Sequence, residues 1–310
     1  MSNRLDKYKG CFIALAVGDA LGSPIQFKKR DTYLHIKEYT SGGAFDSKNG
    51  EYTDDTAMAL CLADSLINFR GCDAENQLDT YVKWLKSGYM STRDEAFDIG
   101  ITIFSSLVYY METGKTTTHI NQEKDSGNGS LMRLAPVVMY YVDNIDEAVT
   151  FAGESSTTTH ASPIAIDACR YFAYFLTLIL NGAQKHELFN DEATRKMKNY
   201  FKEKPLHLEI AKIANGSYVG KKREEIKSSG YVVHTLEAAL WAFYYGETFK
   251  DTMLEAVNLG DDADTVGAVT GQLAGAYYGF NKIDDIFLEE LFNRELILEM
   301  AEKLYTQRIS

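Results

Sequence analysis

The 310-residue sequence has few of the residues that interrupt helices or build soft-metal sites. It contains only 4 prolines and 4 cysteines, and its 6 histidines are scattered along the chain. No CxxC pair occurs, so the cysteines predict buried free thiols of a reduced, cytoplasmic protein. An HExxH motif and Cys-based metal spacings are also missing, which argues against a zinc site.

Basic clusters and membrane-length apolar runs are missing as well. The 32 basic and 44 acidic residues give a net charge of −12, and no Lys/Arg block stands out. This balance argues against nucleic acid or an anionic membrane surface as the main partner. The N-terminal segment MSNRLDKYKG is too charged for a signal peptide, and the apolar runs are too short to span a bilayer. We therefore expect a soluble cytoplasmic monomer with no membrane or nucleic-acid partner.

Helical periodicity dominates the rest of the sequence. Short β-like pieces, GYVV and TYLHI, do not extend far enough to build a sheet. The sequence therefore predicts an all-α fold. The predicted helices span residues 5–18, 55–69, 75–87, 94–112, 146–152, 163–181, 187–203, 208–214, 234–245, 252–257, 265–279 and 286–305.

Small residues recur every four positions in two stretches. Residues four apart share a helix face, so each stripe lets another backbone approach closely. We expect both stripes on buried central helices of one core, and no linker composition divides the chain, so residues 1–310 are predicted to form a single domain. The polar stretch 28–52 is the best candidate for a mobile surface loop. The two stripes are Ala14, Gly18 and Gly22, and then Gly267, Gly271, Gly275 and Gly279.

Two acidic stretches each precede a long apolar helix. They are EYTDDTAMALCLADSL, residues 51–66, and NLGDDADTVGAVTG, residues 258–271. Carboxylates at a helix start are common caps, so one such stretch alone would carry no further meaning. Two of them in one chain, each with adjacent threonine hydroxyls, form all-oxygen ligand sets that suit Mg²⁺, Mn²⁺ or Ca²⁺.

The spacing of these aspartates limits how they can act. Asp262 and Asp264 converge only if the segment is a turn that leads into a helix, whereas Asp54 and Asp55 diverge and could serve different ions. Two such helix ends facing each other would make a two-metal site. Neither stretch is an EF-hand, because neither continues with the later ligands of that loop. The Asp54–Asp55 pair is also not a terpene-synthase DDxxD motif, because the third carboxylate is missing.

A third stretch predicts a different kind of site. KDSGNGSLMRLAPV, residues 124–137, is a glycine-rich turn that opens an apolar run. Successive backbone N–H groups in such turns can bind phosphate, although an ordinary loop has the same composition. Arg133 could serve as a phosphate partner or as a member of a buried ion pair.

Seven segments in this order resemble the ADP-ribosylglycohydrolase family, which includes the dinitrogenase reductase-activating glycohydrolase. Together they extend over nearly the whole chain, and their order makes the resemblance specific. The segments are GCFIALAVGDALGSPIQF, YTDDTAMAL, FDIG, SGNGSLMRLAPV, TTTHASP, GYVVHTLEAALWAF and NLGDDADTVGAVTGQLAGAYYG.

The resemblance implies a compact orthogonal helical bundle with two Mg²⁺ or Mn²⁺ ions at its centre. It implies that Asp54 and Asp55 are catalytic and that Asp98 belongs to the active-site loop, while Asp261, often glycine in the family, is not a ligand. The implied metal ligands are Thr53, Asp54, Asp55, Asp262, Asp264 and Thr265. The implied ADP-ribose contacts are Ser126, Gly127, Asn128, Gly129, Ser130, His160 and Tyr231.

The implied activity is removal of ADP-ribose from a modified protein side chain, most often arginine, by hydrolysis at ribose C1″. One position departs from the family pattern, because Gln26 stands where many relatives have a metal-site glutamate. Glutamine cannot transfer a proton but can orient water. Two alternatives therefore stay open: an ADP-ribose-binding or structural relative without turnover, and a toxin-antagonising member that acts on another linkage.

Overall fold

The computed structural model describes residues 2–308, which form fourteen α-helices. This range contains no β-strand, only isolated bridges between Gly42 and Ser47 and between Gly127 and Tyr231. The predicted all-α fold is confirmed. The helices are α1 Ser2–Gly22, α2 Asp54–Phe69, α3 Ala74–Ser87, α4 Ile101–Thr113, α5 Ala135–Tyr140, α6 Ile145–Thr157, α7 Pro163–Leu180, α8 Lys185–Leu188, α9 Asp191–Tyr200, α10 Leu208–Ala214, α11 Val232–Tyr245, α12 Phe249–Val257, α13 Ala263–Tyr278 and α14 Arg294–Gln307.

Helices α1 and α13 form the centre of the fold, and their small-residue stripes face each other. A Cβ atom added to Gly18 would lie 2.1 Å from the Gly267 carbonyl oxygen, so the two backbones are in direct contact. Gly10 meets Gly275 in the same way, which makes the two helices antiparallel. The predicted role of both stripes is confirmed. Because the helices are antiparallel, the end of α1 lies beside the start of α13.

The other long helices surround this pair. Helices α2, α12 and α14 contact the central pair, as do α7 and α11. Helix α7 is long and apolar enough to cross a membrane by length and composition, with a mean hydropathy of 1.4, but 78% of its residues are buried in the fold. Packing against α6, α11 and α13 accounts for this apolar composition.

Several predicted helix boundaries differ from the structure, and one helix was not predicted. Helix α4 begins at Ile101 rather than at residue 94, after Gly100 as its N-cap. Asn190 caps α9 and divides the segment predicted at 187–203, and α14 starts after Asn293, whose left-handed backbone (φ 51°) ends the preceding turn. Helix α5, with Pro136 in its first turn, was not predicted because only six residues are helical.

The 28–52 segment is irregular and largely exposed, as predicted for a surface loop. Specific contacts nevertheless attach it to the helices. The Asn258 side chain accepts a hydrogen bond from the Ile36 N–H at 2.7 Å and donates to the Ile36 carbonyl at 2.9 Å. The Tyr39 hydroxyl donates to the Phe287 carbonyl at 2.8 Å. These contacts hold the segment against the loop between α12 and α13 and against the turn that precedes α14.

Candidate active site

The acidic residues at the starts of α2 and α13 do not cap their own helices. Neither Thr53 before α2 nor Asp262 before α13 makes a side-chain capping hydrogen bond. By contrast, Asp73 before α3 accepts a hydrogen bond from the Asn76 N–H at 2.8 Å, as an ordinary cap does. Capping therefore does not account for the two acidic clusters.

Asp19, in the last turns of α1, holds the start of α2 in place. Its carboxylate accepts hydrogen bonds from the N–H groups of Thr53 (2.9 Å) and Thr56 (3.0 Å) and from both hydroxyls, at 2.9 and 2.6 Å. Burial raises the pKa of Asp19 to about 6. No motif in the sequence points to Asp19, but an aspartate inside an apolar helix is a signal, because a buried carboxylate needs a specific partner.

The first turns of α2 and α13 meet at Asp55. One oxygen of Asp55 accepts a hydrogen bond from the Thr265 hydroxyl at 3.3 Å, and the Thr53 hydroxyl lies 3.4 Å from the same oxygen. Burial and then the neighbouring carboxylates raise the pKa of Asp54, Asp55 and Asp264 well above the usual range. The structure thus brings both predicted acidic clusters together.

Several buried oxygens of this cluster have no hydrogen-bond partner. They are one oxygen each of Asp55 and Asp98, both oxygens of Asp264, and the amide oxygen of Gln26. None of these carboxylates makes a salt bridge within residues 2–308. Buried charged oxygens without partners are costly, so they require a cation or protons.

The donor chemistry decides which cation fits. The unpaired atoms are carboxylate and amide oxygens with threonine hydroxyls nearby, which is the ligand preference of Mg²⁺ and Mn²⁺. Across the described residues, however, no three His, Cys, Asp or Glu side chains are already close enough to hold a metal ion. The composition of the cluster fits a hard divalent cation, and a closed coordination shell is not preformed.

Gln26 and Asp98 form one wall of this site. Asp98 has a left-handed backbone (φ 54°) in the loop before α4, and its carboxyl group lies beside the Gln26 side chain. Burial, with added repulsion from Asp19 and Asp262, raises the pKa of Asp98 to about 7, although the nearby side chains of Gln26 and Asp264 oppose this shift. Gln26 therefore occupies the site, and its amide oxygen remains free to bind water or a cation.

Backbone pairing carries Gln26 to the acidic cluster. The Phe27 N–H donates to the Asp261 carbonyl at 2.6 Å, and the Asp261 N–H donates to the Lys28 carbonyl at 2.8 Å. Asp261 itself is exposed and has φ 56°, the left-handed conformation that glycine adopts most easily. Its backbone therefore shapes the turn while its side chain stays outside the site.

An open cavity of about 210 Å³ joins the acidic cluster to the glycine-rich loop. The start of α4 also faces this space, which no pattern in the sequence indicates. The first N–H groups of a helix attract anions. The lining residues are Gln26, Phe27, Asp54, Asp55, Asp98, Gly100, Ile101, Thr102, Ile103, Gly127, Asn128, Gly129, Met132, His160, Gly230, Asp262 and Thr265.

The glycine-rich loop is connected to the α13 cluster through Asn128. The Asn128 amide donates to Asp262 at 2.5 Å and to the Thr235 hydroxyl at 2.8 Å, and the Asn128 N–H donates to the Gly230 carbonyl at 3.2 Å. In the described chain, the N–H groups of Gly129 and Ser130 have no hydrogen-bond acceptor. These two adjacent donors can bind an anionic oxygen.

Three of the predicted ligand contacts lie outside the cavity lining. The Ser126 hydroxyl bonds the Glu123 carbonyl and Ser162, and the Ser130 hydroxyl bonds Ser156. The Tyr231 ring contacts His234, with 5.1 Å between ring centroids, while its backbone pairs with Gly127. Only the backbones of these residues reach the loop that borders the cavity.

Arg133 takes neither of the two roles considered from the sequence. It is fully buried, does not line the cavity, and makes no salt bridge in the described residues. Its guanidinium donates to the Gly129 carbonyl at 2.9 Å and to the Thr159 hydroxyl at 2.7 Å. The ion-pair alternative is wrong, because the guanidinium lies behind the loop among neutral acceptors.

This chain is similar to known proteins over its whole length. A family model described as ADP-ribosylglycohydrolase matches residues 1–310. The chain is 37% identical over 304 residues to the ADP-ribosylarginine hydrolase Tri1 of Serratia proteamaculans (strain 568), covering 98% of this chain and 80% of the relative. It is 31% identical to the ADP-ribosyl-[dinitrogen reductase] glycohydrolase of Rhodospirillum rubrum, covering 92% and 90%. A solved structure of an ADP-ribosylglycohydrolase-related protein complex superposes with a TM-score of 0.86 at 37% identity and covers 100% of both chains.

Proposed function

Since the chain belongs to the ADP-ribosylglycohydrolase family and is a glycosidase-type hydrolase, we propose that it removes ADP-ribose from arginine side chains of modified proteins. The names of the two relatives support an ADP-ribosylated protein as the substrate, and the first of them names arginine. The bond broken is the glycosidic bond at ribose C1″, and water supplies the oxygen that replaces the arginine nitrogen.

The proposed cofactor is a pair of Mg²⁺ or Mn²⁺ ions held between the starts of α2 and α13. Thr53, Asp54 and Asp55 would supply ligands from one side, and Asp262, Asp264 and Thr265 from the other. When bound, such ions orient the ribose hydroxyls and lower the pKa of a coordinated water. The unpaired oxygens of Asp55 and Asp264 support this assignment, because they are buried without protein partners.

Proton transfer and orientation of the attacking water are assigned to three side chains of the site. Asp54 faces the cavity, whereas one oxygen of Asp55 is occupied by Thr265, so Asp54 is the group proposed to accept the proton of the attacking water. The free amide oxygen of Gln26 would accept a hydrogen bond from that water and orient it. Asp98 lies next to Gln26 and would relay the proton from Asp54 to the leaving arginine nitrogen, which restores both carboxylates.

The opposite wall is proposed to bind the diphosphate of ADP-ribose. The free N–H group of Gly129 and the start of α4 line that wall, and the free N–H group of Ser130 is the next one along the chain. Asn128 connects the glycine-rich loop to the acidic cluster through its bond to Asp262. It would therefore fix the distance between the diphosphate site and the ribose site.

One observation carries the proposal: Asp55 and Asp98, which have unpaired oxygens, line the same cavity as a loop with unpaired N–H donors. The test is release of free ADP-ribose from arginine-ADP-ribosylated protein in Mg²⁺, in Mn²⁺ and in EDTA. Release should require a cation and fall about 10²- to 10⁴-fold in Asp54→Asn. Asp64→Asn, on the same helix and bonded to Tyr89 instead, should keep full activity. Cation-independent release would contradict the proposal.

A second candidate, binding of ADP-ribose without turnover, rests on Gln26. Calorimetry with ADP-ribose beside the release assay separates the two candidates, since a binder would give binding and no release on arginine- and serine-linked substrates. In that case Gln26→Glu should restore release, because the carboxylate could then transfer a proton. If the wild-type chain already turns over, Gln26→Ala should slow it by roughly tenfold through loss of water orientation.

A further inference from the structure

Arg133 is a buried cation without an anionic partner. Its side chain is fully buried, and no carboxylate lies within salt-bridge distance of it in residues 2–308. It contacts neutral groups only: the Gly129 carbonyl, the Thr158 and Thr159 hydroxyls, and the Tyr81 ring at 4.6 Å. Buried charges are normally paired, so an arginine kept here among neutral acceptors calls for a specific role.

The hydrogen bonds around Thr159 have a fixed direction. A guanidinium can only donate, so the Thr159 hydroxyl accepts from Arg133 at 2.7 Å and must place its own proton elsewhere. His160 Nδ1, at 2.9 Å, is the acceptor that the described chain offers to that proton. Nδ1 is then an acceptor, and the imidazole proton lies on Nε2.

The Nε2 edge of His160 faces the ligand cavity. Nε2 has no hydrogen-bond partner in the described residues, and His160 is part of the cavity lining. The glycine-rich loop lies directly on the ring, since a Cβ on Gly129 would be 2.8 Å from Cε1 and one on Gly127 would be 3.2 Å from Nε2. Glycine at these two positions therefore leaves the ring room beside the unpaired N–H of Gly129.

We propose that Arg133 and Thr159 are positioning residues that hold His160 in its Nε2–H tautomer, so that Nε2 donates to an anionic oxygen of the ligand. The identity of that ligand, the diphosphate of ADP-ribose, rests on the proposed function, whereas the tautomer does not. Burial and the charge of Arg133 lower the pKa of His160 to about 3, which keeps the ring neutral at ordinary pH. A neutral N–H donor at this position would bind the anion through a directed hydrogen bond and would carry no net charge of its own.

The test compares three substitutions at two adjacent buried threonines. Thr159→Val removes the hydroxyl and keeps the shape, and Thr159→Ser restores the hydroxyl. Thr158→Val is the matched control, because Thr158 also lies beside Arg133, at 3.3 Å, but does not bond His160. Nitrogen-15 NMR of the ligand-free protein, with the His160 signals assigned through His160→Gln, reports the tautomer directly. Calorimetry with ADP-ribose reports the consequence for binding.

The wild type, Thr158→Val and Thr159→Ser should show the Nε2–H tautomer. Thr159→Val should show a mixture of tautomers and bind ADP-ribose roughly tenfold more weakly, the size of one lost hydrogen bond. An Nε2–H tautomer that persists in Thr159→Val, or an Nδ1–H tautomer in the wild type, would overturn the proposal. If ADP-ribose does not bind the wild type at all, the proposed function fails, while the NMR result still decides the tautomer.

Discussion

Helices α3 and α13 both begin with aspartates, but they use them in opposite ways. Asp73 satisfies the backbone of its own helix α3 and is half-buried. Asp264 is fully buried in the first turn of α13, and neither of its oxygens has a partner. The same residue type near a helix start is therefore a stabilising N-cap before α3 and an unsatisfied buried carboxylate in the first turn of α13. An unsatisfied buried carboxylate indicates a site that binds a ligand from outside the chain.

Helix α2 adds a third arrangement to this comparison. Its start is held by Asp19 from another helix, which satisfies Thr53 and Thr56 and leaves Asp54 and Asp55 free of any capping duty. Support and function thus belong to different residues, so substitutions at Asp264, Asp19 and Asp73 should have separable effects.

The largest effect is expected for Asp264→Asn. Release of ADP-ribose should fall about 10²- to 10⁴-fold, and the rise in melting temperature on adding Mg²⁺ should shrink, because a buried cation ligand is lost. Without metal the variant should be at least as stable as the wild type, since one repelling charge is gone. Asp261→Asn, three positions earlier and exposed, is the control and should change neither property. Equal losses in both variants would contradict the distinction.

Asp19→Asn should act on stability first. It replaces a carboxylate that accepts four hydrogen bonds, and the amide NH₂ would face the donors of Thr53 or Thr56. The free energy of unfolding should fall by about 2 kcal/mol, measured by urea denaturation without metal. A variant as stable as the wild type would show that Asp19 does not support the start of α2.

The pH dependence of the metal-free protein should be the next largest effect. The folded-state pKa values of Asp98 (about 7) and of Asp19 and Asp262 (about 6) lie above the usual aspartate value, so the folded state binds more protons than the unfolded state. Their contribution to stability is complete below about pH 4 and is lost as the pH rises through 6 and 7.

In EDTA, the melting temperature should therefore fall by several degrees between pH 5 and pH 8. Added Mg²⁺ should reduce this fall, because the cation stabilises the ionised carboxylates that repel one another at the higher pH. A melting temperature that rises with pH in EDTA would contradict the sign of these shifts.

Asp73→Ala should have the smallest effect. Loss of an ordinary cap costs about 1 kcal/mol of unfolding free energy, and activity should be unchanged because α3 does not line the cavity. Comparing the Mg²⁺-induced stabilisation of this variant with that of Asp264→Asn completes the contrast, since only Asp264→Asn should lose it.

Much of this arrangement could be predicted from the sequence. Helical periodicity predicts the all-α fold, and the repeated glycines predict the two central helices. Both patterns can be seen in the sequence because they depend only on residues three or four apart on the same helix. The acidic starts of α2 and α13 stand out by their composition, and the family resemblance implies that they belong to one site. Asp19 was missed because its partner Thr53 is 34 residues away and on another helix. Local spacing does not specify which helices meet.

The glycine-rich loop shows a second limit of sequence reasoning. GNGS was recognised as a turn, but which of its groups face the cavity depends on how the loop packs against residues 230–232 and His160. Arg133 was given two ordinary roles, and the structure gave it neutral partners instead. The left-handed backbone of Asp98 likewise follows from its surroundings, because aspartate alone does not require it.

The antiparallel contact between α1 and α13 has a consequence for how the chain is made. Gly10 meets Gly275 and Gly18 meets Gly267, so the first helix finds its main partner only in the last fifth of the sequence. During synthesis, α1 would emerge from the ribosome with its glycine stripe uncovered and wait for most of the chain to follow. Contacts between such distant segments slow folding. We expect truncations before residue 263 to be insoluble and dependent on chaperones, since they lack the helix that covers α1.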